Sequence, residues 1–232
     1  MKKFDKTWAA ACAVVFVLAG CGGGGSGGSG GSDVGTAANT TELATSSTAL
    51  ISTLATLPVE ALSVAEQKTL AFMREEEKLA HDVYIHLDGL WRGYTRVFDN
   101  IANSETSHTE SVRQLLLRYS LPDPTATLAA GVFQNTTLQN LYTQLLAAGA
   151  MSLVEGLKVG AAIEEIDMID LNKALLETDN QDITLVYQNL LKGSRNHLRS
   201  FVSNLTKQGV TYVPQYMTVV DYQAIVTTPM ER

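Results

Sequence analysis

The feature that most limits what this chain can fold into is a set of four apolar rows at helical spacing, each interrupted near its middle by an ionisable side chain. The first row reads Leu70, Met73, Glu77, Ala80, Tyr84, Leu87, and the second Ile101, Glu105, His108, Val112, Leu115. The third is Leu157, Ala161, Glu164, Met168, Leu171, and the fourth Ile183, Tyr187, Leu190, Ser194, His197, Phe201. Of the three consecutive acids in "FMREEEKLAHDVY", only Glu77 falls in the inward row; Glu75 and Glu76 are expected to be solvated. Glu164 fits the third row better than Glu165, though a one-residue phase error would exchange them. His81 and His86 read as surface residues.

Boundary signals give these rows their helices. "SVAE" is a capping box in which Ser63 caps and Glu66 reaches back, opening a helix to about Leu90. A second helix runs from about Val97 to Tyr119 and stops before "LPDP", whose prolines cannot continue it. A long connection follows, with a short helix near Thr137–Ala148. Ser152 and Glu155 read as a second capping box for a helix to about Leu176, and the last long helix spans about Gln181 to Lys207, with Gly209 just beyond. The tail "VTYVPQYMTVVDYQAIV" alternates like a strand in parts. Four long amphipathic helices with one long crossover predict an all-α fold, a ferritin-like four-helix bundle whose crossover holds the short extra helix.

A buried carboxylate without a partner costs several kcal/mol, and several together repel. Lys78, Arg113, Lys158 and Arg199 lie off the inward rows and are expected on outer faces, so a bound cation is the economical source of positive charge. Glu105 and His108 form E-x-x-H, which presents one oxygen and one nitrogen on one helix face. Oxygen-rich ligation with some imidazole suits iron or manganese better than zinc or copper. The plainer alternative makes His108 and His197 core histidines hydrogen-bonded to Glu105 or Glu164. Tyr84 and Tyr187 read either as inward core tyrosines or as groups supporting the carboxylates, and Gly193 as room for a close approach or as incidental.

"EKLAHDVY" (77–84) resembles the first-helix pattern of rubrerythrin-type proteins, and "IANSETSH" (101–108) their second-helix E-x-x-H. With "FMREEEKLA", "GAAIEEID" and "GSRNHLR", the stretch from about Leu62 to Tyr216 resembles a ferritin-like family of unassigned activity, DUF2202. The resemblance implies a di-iron or di-manganese centre ligated by Glu77, Glu105, His108, Glu164, Asp167 and His197, reacting with dioxygen or peroxide. Ser194 stands where the fourth helix of that pattern carries its E-x-x-H glutamate, which leaves two metals with Asp167 substituting, one metal, or none. A non-enzymatic metal-storage or protein-interaction bundle is the alternative, and assembly into a homo-oligomer is left open.

The N-terminal region predicts where the domain works. Residues 1–20 combine a basic start, an apolar run from Trp8 to Leu18 and a small-residue exit, which reads as a secretory signal. "LAGC" resembles a bacterial lipobox, which implies lipid on Cys21 and anchorage at the outer membrane or cell surface, since Gly22 rather than aspartate follows. Residues 21–60, beginning with "GGGGSGGSGGS" after the cysteine, read as a flexible tether, 61–218 as the helical domain and 219–232 as a tail. Cys12 and Cys21 are the only cysteines, so a domain beyond them excludes disulfides, thiolate nucleophiles and cysteine-ligated clusters. The chain carries formal charge −7 without a basic stripe, which argues against nucleic acid as a partner.

Overall fold

The computed structural model describes residues 48–232. The signal segment, Cys21 with its expected lipid, and the glycine-rich linker lie outside the described residues. Those described are helical with no strand, and no helix among them is long and apolar enough to cross a membrane.

Four long helices form the bundle: α1 (Val64–Trp91), α2 (Val97–Arg118), α4 (Leu153–Leu176) and α5 (Gln181–Lys207). The shorter α3 (Thr136–Gly149) lies in the crossover and α6 (Val219–Val226) in the tail. Two helical hairpins, α1 with α2 and α4 with α5, pack face to face, with α3 bridging α1 and α4. Every side chain of the four inward rows is buried. The helices start where their caps place them. Ser63 Oγ accepts from the Glu66 N–H at 3.1 Å, and Glu66 Oε2 accepts from the Ser63 N–H at 2.8 Å. At α4 only half of the expected box forms: Ser152 accepts from the Glu155 N–H, while the Glu155 carboxylate takes Lys158 Nζ at 2.8 Å.

The crossover lies across the outer face of α1, which corrects the expectation that Glu75 and Glu76 are solvated. Glu75 Oε2 accepts from the backbone N–H groups of Gln134 at 2.6 Å and Asn135 at 3.0 Å. On the same face Arg74 pairs with Asp123, Lys78 Nζ donates to the Ala129 carbonyl, and Asp82 accepts from the Gly131 N–H. Glu76 is buried beside α4. α1 is therefore covered on two sides, by the bundle and by the connection, and only the first of these is visible as a helical period.

The tail covers α4 and α5 in the same way. Arg199, expected on an outer face, is buried beneath it and donates to the Ile225 carbonyl, Thr228 Oγ1 and Glu231. The alternation noted in the tail coincides not with a strand but with α6 over part of its length, capped by Thr218, whose hydroxyl oxygen accepts from the Asp221 N–H. Within the stretch read as tether, residues 48–54 are helical, Leu54 is buried, and Arg118 donates to the Leu57 carbonyl at 2.6 Å.

Candidate metal centre

Six residues from four helices meet in the middle of the bundle. α2 supplies Glu105 and, one turn on, His108; α5 supplies His197; α1 supplies Glu77; α4 supplies Glu164 and Asp167. All six are buried. Glu105 stands between the two imidazoles. Its Oε2 is 2.9 Å from His108 Nδ1 and its Oε1 is 2.8 Å from His197 Nδ1. The rings stack with centroids 5.3 Å apart. Glu77 Oε2 reaches His108 Nδ1 at 3.2 Å, and Glu164 Oε2 lies 3.5 Å from His197 Nδ1. Glu105, His108 and His197 each offer one ligand atom within 4.8 Å of the others, a buried group that could hold a metal ion.

The orientation of the imidazoles follows from what stands on their far sides. His197 Nε2 lies 2.9 Å from Ser104 Oγ, which turns Nδ1 inward. His108 turns its Nε2 edge towards Gly193 on α5. A Cβ at Gly193 would sit 2.4 Å from that nitrogen, so glycine is what lets α5 pass the ring. Tyr84 donates to Glu164 Oε1 at 2.5 Å, and the single Ser194 hydroxyl proton is shared between Asp167 Oδ2 and the Leu190 carbonyl. The groups supporting the cluster are thus hydroxyls rather than cations.

Electrostatics shows the cost of this arrangement. Burial opposes charge on His108, but Glu105 and Glu77 outweigh it and raise its pKa well above the ordinary histidine value. The same contest at His197, with Glu164 and Glu105 as partners, lifts it to about 10. Burial pushes Glu105 up, but the two adjacent imidazoles more than reverse this and hold it below the usual carboxylate range. Glu77 is raised by burial and then by the charge of Asp167. Asp167 is raised to about 7 by burial and Glu164. Burial and like charge thus push Glu77 and Asp167 towards their neutral forms, while the adjacent carboxylates favour charged imidazoles.

Several donor atoms of the cluster are left unmatched by one another. Glu77 Oε1 and Asp167 Oδ1 are buried with no hydrogen-bond partner. His197 Nδ1 is close to Glu105 but lacks hydrogen-bond alignment with any partner. Buried polar atoms are normally satisfied, and orphans concentrated at one point, in a set of carboxylate oxygens and imidazole nitrogens, mark a group that could hold a metal ion.

The domain model described as "Uncharacterized protein domain (DUF2202)" matches residues 66–229. This chain belongs to the DUF2202 family. Over 179 residues it is 45% identical to "Uncharacterized protein MJ0754" of Methanocaldococcus jannaschii, covering 77% of this chain and 96% of that one. The crystal structure of hypothetical protein MJ0754 superposes with a TM-score of 0.73 at 45% identity, covering 76% of this chain and 99% of that one. The DUF2202 match spans all four bundle helices, and with them every residue of the cluster.

Several placements bear on residues left open above. Glu164, not Glu165, faces the cluster. Glu165 points the other way and is fully buried beneath the tail, accepting from Tyr212 Oη at 2.6 Å and from the N–H groups of Gln215, Tyr216 and Met217. Tyr84 contacts the cluster, whereas Tyr187 donates to Thr69 Oγ1 at 3.2 Å outside it. His86 is exposed and His81 half-buried against Asp82. Ser104, which supports His197, was not anticipated. It lies one residue before Glu105, beside the inward row, where a lone serine carries no distinguishing signal.

Proposed function

We propose that this DUF2202 domain is an envelope-anchored metal protein with a carboxylate-rich iron or manganese centre, preferably dinuclear. The observation that carries the reading is the convergence of Glu105, His108 and His197 with orphaned oxygens of Glu77 and Asp167 around them. Glu105, placed between both imidazoles, would serve both halves of the centre. Glu77 with His108 would complete one half, and Glu164 with His197 the other. Asp167 would stand in for the missing fourth-helix glutamate, with Ser194 fixing one of its oxygens. Bound iron or manganese would supply one-electron chemistry towards dioxygen or peroxide. The chain's own contribution is to hold Glu164 through Tyr84, set the His197 tautomer through Ser104, and keep bulk water from a mostly buried site. Lipid on Cys21 would tether this activity to the outer membrane or cell surface.

A second reading is a storage or interaction module without turnover. It draws on Ser194, whose hydrogen bond already occupies one Asp167 oxygen. One experiment separates the two. Purified protein is assayed for bound iron and manganese and for aerobic oxidation of added ferrous ion. The redox reading expects stoichiometric metal and turnover, both lost in Glu105→Ala and His197→Ala. Metal retained without turnover favours storage, and a folded protein that takes up neither metal overturns both metal readings.

A further inference from the structure

We propose that Glu76 and Asp170 form a second cation site, built from carboxylate oxygens alone, in the seam between α1 and α4 beside the main centre. Glu76 is only 4% exposed, and both of its carboxylate oxygens lack a hydrogen-bond partner. Three other acids of α1 are satisfied by N–H groups or a lysine. Glu66 accepts from Ser63 and Asn180 N–H groups, Glu75 from two crossover N–H groups, and Asp82 from Lys78 and Gly131. Glu77 and Asp88 each keep one unpartnered oxygen, but Glu76 lacks a partner on both. The group within hydrogen-bonding reach of it is Asp170 on α4, another carboxylate.

Asp170 lies one turn beyond Asp167 and is partly exposed, with Lys173 acting on it from the next turn. The charges of Asp167 and Glu77, both in the main cluster, also act on Glu76. The pair thus has a partly exposed member, Asp170, and a buried, unpartnered one, Glu76, next in sequence to Glu77 of the main cluster. Two carboxylates held this close, one of them buried, repel unless a proton or a cation stands between them. Oxygen-only donors with one side open to water suit a hard divalent ion such as manganous or ferrous ion, retaining part of its hydration.

The proposal rests on the reading of the main centre as a metal site, and the test keeps the two apart. The full-length protein, stripped of metal, is titrated with manganese(II) by calorimetry. Two classes of site are expected, a tight one at the centre and a weaker one in the seam. Glu76→Gln and Asp170→Asn should each remove the weaker class and keep the tight one. Glu105→Ala should do the reverse. Far-UV circular dichroism reports whether each variant retains its helices, and with two independent seam variants either one decides. A single class in the wild type, or a weaker class that survives in a folded seam variant, overturns the second site and means that the carboxyls share a proton instead. Absence of a tight class removable by Glu105→Ala counts against the main centre, whatever the seam does.

Discussion

At the scale of residues, the cluster depends on two small side chains that make no claim to be ligands. Gly193 is the only residue that fits opposite the His108 ring without moving it. Alanine is intrinsically better than glycine in a helix by about 1 kcal/mol, yet overpacking costs typically 1–3 kcal/mol, so Gly193→Ala should be net destabilising or neutral while displacing His108. Denaturant midpoints and metal affinity check this, and a stabilised variant with unchanged affinity would contradict it. Ser104→Ala removes the hydroxyl that bonds His197 Nε2. Loss of such a supporting group typically weakens metal binding about 10- to 100-fold, which chelator competition would measure, with the unfolding midpoint nearly unchanged. The inward rows were legible residue by residue because burial and helical period coincide. The choice of Glu164 over Glu165 rested on phase alone, with little margin. Every residue from Val159 to Met168 is buried, so α4 has no exposed face in that stretch to set its phase.

At the scale of elements, the reason for that continuous burial is the tail. Glu165 gathers a tyrosine hydroxyl and three successive backbone N–H groups from residues 212–217 and fixes the segment leading to α6. In Glu165→Gln the amide can no longer accept all of these bonds, and leaving buried donors unpaired costs about 1–3 kcal/mol. Faster amide exchange over 212–217, with the bundle core still protected, is the expected signature; unchanged exchange there would show that the loop is held by other contacts. The four long helices and their connections were readable from caps, prolines and periods. The segments that wrap them were not, because a loop lying on a helix leaves no period in either partner. One signal was present but weak: "TVVD" at 218–221 forms a reciprocal cap, with Thr218 Oγ1 donating to Asp221 Oδ2 and accepting from its N–H.

At the scale of the molecule, the bundle buries a cluster of acids and imidazoles at its centre, and it closes the seams with a crossover on one side and a tail on the other. Such an interior is stable when the charges are paired with a cation and strained when protons must do that work. Whether a metal occupies this point is decided by anomalous X-ray diffraction. Crystals grown with ferrous or manganous ion and measured on either side of the matching absorption edge should show anomalous density among Glu105 and the Nδ1 atoms of His108 and His197. Metal-saturated crystals with no such density, and with the carboxylates and imidazoles placed as they are here, would contradict the metal reading.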